Sequence, residues 1–220
     1  LAEAHRLTVG AGYRYSADRS PPALVYHFDP VSRGMQLFSL YGNDEIDLTP
    51  AVTLNAGARV EHNSFTGFEV QPSFQVVWVR SPRETLWGAV SRAVRTPSRG
   101  DRDSALDFPI SPPGPLAGNL PVVGTIVSDS DYGSEVLWAW ETGHRKQWTR
   151  TVSTDLALFL NRYDRLRSYE LGPSILRTNP VPYVNQILRL GNELYGKVYG
   201  GELELTWQPR PDWRLTGWHS

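Results

Sequence analysis

Apolar and polar residues alternate along this chain with a period of two, and they do so over unusually long stretches. His5 to Ser16 puts Leu7, Val9, Ala11, Tyr13 and Tyr15 on one face and Arg6, Thr8, Arg14 and Ser16 on the other. Ala51 to Asn63 repeats the pattern, with Val52, Leu54, Ala56, Ala58 and Val60 opposed to Thr53, Asn55, Arg59, Glu61 and Asn63. Leu156, Leu158 and Leu160 oppose Asp155 and Asn161, and Leu203, Leu205 and Trp207 oppose Glu202, Glu204 and Thr206. Only an extended strand sorts side chains this way, because successive Cβ atoms point to opposite faces of a sheet. Adding Phe68 to Arg80 and the weaker segments Met35 to Leu48, Glu84 to Arg95, Ser134 to Gln147 and Asp212 to Ser220 predicts about nine strands of roughly 9–15 residues. That exceeds the usual ~5–6 residues of soluble sheets.

The connections between these segments alternate in length. Ala17 to Arg33, Thr96 to Gly133 and Asp164 to Leu190 are long and Ser64 to Gly67 is of medium length, whereas Thr49-Pro50, Ser81 to Arg83, the turn at Trp148 and Pro209 to Pro211, which alternate with them, are short. Successive hairpin connections of an up-and-down barrel fall on opposite sides of a membrane, and outer-membrane barrels keep one side short and the other long. A soluble sandwich has no reason to sort its loops by parity. Trp78, Trp87, Trp148, Trp207 and Trp213 all flank or occupy short turns, which suits an aromatic girdle at one membrane interface. Trp138 and Trp140, two apart, would face lipid. The expected fold is therefore all-β, an antiparallel up-and-down transmembrane barrel of which the chain holds a part.

Composition narrows the function. With 22 Lys and Arg against 23 Asp and Glu, the net charge of -1 disfavours a broadly basic nucleic-acid binder. The absence of Cys removes disulfides, thiolate metal sites and a Cys nucleophile. No apolar run approaches the ~18 residues of a spanning helix. No Gly-x-Ser-x-Gly elbow occurs, and His5, His27, His62, His144 and His219 are widely spaced. Glu202 and Glu204 share a strand face about 7 Å apart, a spacing that superficially suits glycoside hydrolysis but is common in a solvated wall. No cofactor and no metal cluster is expected. On the same parity Arg59, Glu61, Glu141, Arg145, Asp155, Glu202 and Glu204 face a lumen or plug, with Arg6, Arg14 and Glu135. Arg92 and Arg95 differ in parity, so one needs a bulge or a place beyond the membrane band. Arg95-Thr96-Pro97-Ser98 should end a strand, since Pro97 cannot donate to a ladder. A ligand would meet connections 17–33, 96–133 and 164–190 first, and 96–133 is rich in Pro, Gly, Asp and Ser.

Four stretches carry a family resemblance. They are Asn43 to Pro50 followed by Leu54-Asn55-Ala56-Gly57-Ala58-Arg59; Trp87 to Ser98, ending Arg-Thr-Pro-Ser; Glu141-Thr142-Gly143-His144-Arg145 with Leu156 to Tyr163; and Gly200 to Glu204 with Trp207 and Trp213-Arg214-Leu215. In that order and spacing they resemble the barrel of TonB-dependent outer-membrane receptors. The resemblance implies a Gram-negative outer-membrane protein whose whole barrel has ~22 strands around a plug. It also implies energy-dependent uptake of a scarce ligand such as a ferric siderophore, with the TonB complex acting through an N-terminal plug domain. Residues 1–220 would then be part of the barrel domain, with the plug and the last strands outside them. The chain opens at Leu1 without an initiator Met or a leader, and is read here as a fragment or a processed product. A passive porin and a soluble β-sandwich that binds or hydrolyses carbohydrate remain the alternatives. The sandwich would bury the rows Leu7 to Tyr15 and Val52 to Val60 between two sheets.

Overall fold

The computed structural model describes residues 4–179 and 181–220. It forms one sheet of twelve strands: β1 His5–Arg19, β2 Tyr26–Phe28, β3 Ser32–Thr49, β4 Val52–Asn63, β5 Gly67–Ser81, β6 Glu84–Arg95, β7 Ser104–Gly114, β8 Leu120–Val127, β9 Glu135–Gln147, β10 Val152–Arg177, β11 Tyr183–Arg210 and β12 Trp213–His219. A four-residue helix, α1 (Arg99–Arg102), and a 3₁₀ turn at Pro115–Ala117 complete it. Nine of these strands, β1, β3 to β6 and β9 to β12, run in antiparallel succession and form an unclosed barrel wall.

These nine are the strands expected from the sequence, and the other three correct only the reading of the connections. β2, β7 and β8 lie inside the connections 17–33 and 96–133, where Pro and Gly had suggested loop. Likewise most of 164–190 is strand, because β10 and β11 run for 26 and 28 residues. A membrane crossing needs only ~9–11 tilted residues, so about half of each strand projects past the wall. Pro180, within that third connection, lies outside the described residues.

The pairing register sorts the wall into two faces. His62 opposes Phe68, Val60 opposes Val70, Leu54 opposes Val76 and Val52 opposes Trp78, so one face of β4 and β5 is apolar. The same face continues through Leu7, Val9, Tyr13, Leu40, Val90, Trp140, Leu158, Leu160, Leu203 and Leu205. These residues are not covered by protein: Leu7 is 69% exposed and Val9 67%. Among the described residues only Tyr132, Val136 and Leu190 are buried hydrophobics, fewer than the buried polar and charged ones. A sandwich would have packed Leu7 to Tyr15 and Val52 to Val60 against a second sheet, and the described residues form a single one. An apolar face this broad is stable only against an apolar solvent, which a bilayer supplies.

Local chemistry explains where the ladders stop. The turn after β4 is closed by Asn63, whose side-chain oxygen accepts from the N–H groups of Phe65 and Thr66 at 2.9 Å each, and Gly67 takes a φ of 71° there. Pairing of β5 with β6 ends at Ser73 and Ser91, next to Pro72. Lacking an N–H, Pro72 cannot extend that ladder. Beyond it the two strands part, and the Arg92 guanidinium donates to the Val70 carbonyl across the gap. β6 itself ends at Arg95, before Pro97.

Candidate ligand-receiving site

Above the wall, the three long connections are hydrogen-bonded into one sheet. β2 pairs with β7 through Tyr26 to Phe28, β7 pairs with β8, and β8 runs parallel to β11 from Val184 to Arg189. Since β2 sits in the connection between β1 and β3, this chain of pairings runs from one end of the wall to the other.

A buried ionic hub pins that assembly to the wall. Ser98 starts α1, donating its N–H and hydroxyl to one oxygen of Asp101 at 2.8 and 2.9 Å. Asp101 is 2% exposed and also receives Arg95 at 3.1 Å and Arg167 of β10. Arg95 forks to Glu135, and the Tyr132 hydroxyl, 1% exposed as a residue, donates to Glu135 at 2.9 Å. On the other side of α1, Arg99 and Arg33 meet Asp103, Arg99 reaches Asp18, and its guanidinium lies 4.4 Å over the Phe28 ring. Arg102 donates to the carbonyls of Tyr132 and Phe65 at 2.8 Å each, and Ser134 donates to Glu69 at 2.5 Å. One short helix thus ties together the ends of β1, β3, β6 and β9, the middle of β10 and the turn after β4.

The electrostatics follow from that pairing. The Arg95 fork lowers the Glu135 carboxyl to about 2, with the Tyr132 hydroxyl assisting against burial. Burial alone would raise Asp101, yet its bonds from Ser98 and Arg95 and the nearby Arg167 hold it below the ordinary carboxylate range. Burial raises the Tyr132 phenol. Every hub carboxylate is engaged by a guanidinium, so the hub is a clamp rather than a pair of free acids.

The sequence-predicted polar residues share the wall face opposite the apolar one. Arg59 pairs with Glu61, which also accepts from Gln71 at 3.2 Å. Arg145 donates to Asp155 at 2.7 Å, and Glu202 and Glu204 border the same depression, along with Trp87 and Trp218. Glu141 stands on this face opposite Ala89 and Phe159. Of the five girdle aromatics, Trp78, Trp207 and Trp213 lie on the apolar face close to short turns. Trp148 joins them, its indole N–H donating to Thr154 at 2.9 Å under the Lys146 ammonium. Trp87 is a correction: it opposes Gly143 and lies on the polar face. Its ring occupies the space that a Cβ at position 143 would need, so the missing side chain makes room for the indole.

Below the hub a cleft opens on the polar face between Arg14, Ser16, Gln36, Asn63, Phe65 and Ser98. Arg14 is exposed and makes no ion pair among the described residues. This cleft and the hub residues Asp101, Arg102, Asp103 and Arg167 were not singled out by sequence reasoning. The Ser-x-x-Asp spacing of Ser98 and Asp101 was the one local signal for them.

A family model described as TonB dependent receptor-like, beta-barrel, matches residues 1–220. The ferric enterobactin receptor of Pseudomonas aeruginosa is 31% identical over 79 residues, 36% of this chain and 11% of that protein. Among solved structures, the siderophore receptor PirA from Acinetobacter baumannii superposes with a TM-score of 0.78 at 18% identity, over 96% of this chain and 33% of its own. A mutant of the ferric enterobactin receptor from P. aeruginosa, in complex with enterobactin, gives 0.80 at 20% over 96% and 32%. The FrpB iron transporter from Neisseria meningitidis gives 0.60 at 16% over 96% and 31%. The chain therefore spans about a third of the length of these solved relatives.

Proposed function

Because the chain belongs to the TonB-dependent receptor β-barrel family, a family of receptors and transporters rather than enzymes, we propose that it contributes the wall and part of the external ligand site of an importer for a ferric siderophore or a similar metal complex. The protein resides in the outer membrane of a Gram-negative bacterium. In this reading the apolar face meets lipid. Arg59, Glu61, Glu141, Arg145, Asp155, Glu202 and Glu204 line the lumen against a plug domain, which lies outside residues 1–220 and through which the TonB complex acts. Connections 17–33, 96–133 and 164–190 receive the ligand.

One observation carries the reading. Three connections that a passive pore would leave independent are joined by β2, β7, β8 and α1 into a single assembly above the polar face, with the Arg14 cleft beneath it. An exposed guanidinium on the polar face, without an ion pair among the described residues, suits an anionic, oxygen-rich complex, to which it offers several donors. The relative named a ferric enterobactin receptor supports the same ligand class.

Uptake of radiolabelled iron, presented as a panel of ferric siderophores to iron-starved cells with and without the gene, tests this. One or more siderophores should depend on the gene, stop when the proton gradient is dissipated, and lose uptake with Arg14→Ala. Gene-dependent entry that persists without the gradient would mean a passive porin.

A further inference from the structure

At the end of the wall that carries the short turns, one carboxylate gathers three basic side chains on the apolar face. Glu84 opposes Lys146 across β6 and β9, and His144 stands two residues further along β9. The Glu84 carboxylate meets the His144 Nε2 at 3.1 Å, the Lys146 ammonium at 3.2 Å and the Arg80 guanidinium at 3.6 Å. The Lys146 ammonium also lies 4.4 Å over the Trp148 ring. Arg150, at the tip of the same turn, is exposed and makes no ion pair among the described residues. Local bonds fix that turn, since the Thr149 hydroxyl accepts from the N–H groups of Thr151 and Val152 at 3.1 and 3.0 Å.

The girdle sets the depth of this cluster. Arg80 comes two residues after Trp78 and Arg150 two after Trp148, a step of about 7 Å along an extended chain. The headgroup layer of one leaflet is of similar thickness, roughly 5–8 Å. The cations therefore stand among headgroups, and since short turns face the periplasm these belong to the periplasmic leaflet. Toward the membrane centre, Gly88 lies four residues along β6 from Glu84 and floors an apolar furrow between Phe74, Val76, Trp140, Leu158 and Leu160. A Cβ at position 88 would meet only a backbone oxygen, at 3.8 Å. Arg80, Lys146 and Arg150 outnumber the one carboxylate of Glu84, so a positive rim borders the furrow. That pairing matches an amphiphile with an anionic head and an acyl chain.

We propose that this corner of the wall binds an anionic glycerophospholipid of the periplasmic leaflet, with its phosphate on Arg80, Lys146 and Arg150 and one acyl chain over Gly88. A zwitterionic headgroup fits less well. Its own ammonium would approach the same three cations, and Glu84 is already shared by three partners. A Lys or Arg near an anionic surface strengthens attachment about fivefold per charge. The site rests on the outer-membrane placement of the chain and not on which ligand it imports.

Native mass spectrometry of the detergent-purified, full-length receptor tests the site, titrated with phosphatidylglycerol and, separately, with phosphatidylethanolamine of the same chains. Heat-modifiable gel mobility checks the fold of each variant. The parent should prefer phosphatidylglycerol, and Lys146→Gln should weaken that lipid about fivefold while leaving phosphatidylethanolamine nearly unchanged. Glu84→Gln should tighten phosphatidylglycerol by releasing Arg80 and Lys146, a gain that misfolding cannot produce. Gly88→Phe should fill the furrow and weaken both lipids. Arg177→Gln, at the external end of β10, should change nothing. The proposal is overturned if the parent binds the two lipids alike, or if Lys146→Gln, Glu84→Gln and Gly88→Phe all bind as the parent does. It is equally overturned if Arg177→Gln weakens binding as much as Lys146→Gln, or if millimolar inorganic phosphate competes fully with the lipid, which would mean a free-anion site.

Discussion

Between Val152 and Asp164, β10 alternates Leu156, Leu158 and Leu160 with Asp155 and Asn161 and keeps an unbroken register with both neighbours. From Tyr163 to Ser174 the same strand slips register three times against β11, and past Asp164 it no longer pairs with β9. The lower half is held by a pattern: a period of two presents one apolar face to lipid, and a slip of one residue would turn every leucine inward. The upper half is held by particular atoms, chiefly Arg167 on Asp101. A pattern tolerates any apolar side chain of suitable size, whereas a clamp of buried charges fails when one partner is lost.

That contrast can be broken from either side. The largest effect is expected at Asp101. Asp101→Ala leaves the Ser98 N–H and hydroxyl without their acceptor and takes a carboxylate from Arg95 and Arg167, whose side chains are 44% and 41% exposed, a loss of roughly 3 kcal/mol. Tryptic cleavage after Arg102 in intact outer membranes should become rapid while the wall stays protected. Simultaneous cleavage within β4 or β10 would mean that wall and assembly are one cooperative unit.

Leu158→Arg attacks the lower half instead. A guanidinium on the lipid side near the bilayer midplane costs about 2–4 kcal/mol. Urea unfolding of the receptor refolded into vesicles should register that loss, with the hub's resistance to trypsin unchanged. Leu158→Ile, which keeps the pattern, should be nearly silent.

The smallest effect is a pH dependence confined to the hub. Glu135 is depressed in the folded protein to about 2 from an ordinary 4.5. Its contribution to stability is therefore complete above about 4.5 and is lost as the pH falls toward 2. A fluorophore on Ser111→Cys, the only thiol in a chain without Cys, should report loosening of the assembly across that window. In a Glu135→Gln background most of that response should vanish, leaving on a looser baseline the smaller share of Asp101, whose carboxyl is also held below its ordinary range. Loosening that begins at neutral pH would instead point away from Glu135.

The wall was legible in the sequence because its rule is local. Each residue's face follows from its neighbour's, so Leu7 to Tyr15 and Val52 to Val60 could be assigned without any partner strand. The connections misled for the same reason. Thr96 to Gly133 has the composition of a loop, yet β7 and β8 form in it because β11 projects far enough to offer backbone groups for pairing. Trp87 was misplaced because turn proximity says how high a residue sits and only the register says which face it takes.

What the sequence by itself determined is the all-β class, the division of each wall strand into an apolar and a polar side, and the family, since these depend on short-range periodicity and short motifs in order. What only the tertiary structure decided is which residues meet at long range. Asp18, Arg33, Asp101, Tyr132, Glu135 and Arg167 are scattered over most of the chain. Arg80, Glu84, Lys146 and Thr154 come together only because β5, β6, β9 and β10 pair in one register. No period links such positions. They become neighbours when backbone pairing, which carries no sequence information in its hydrogen bonds, brings four strands to a common register.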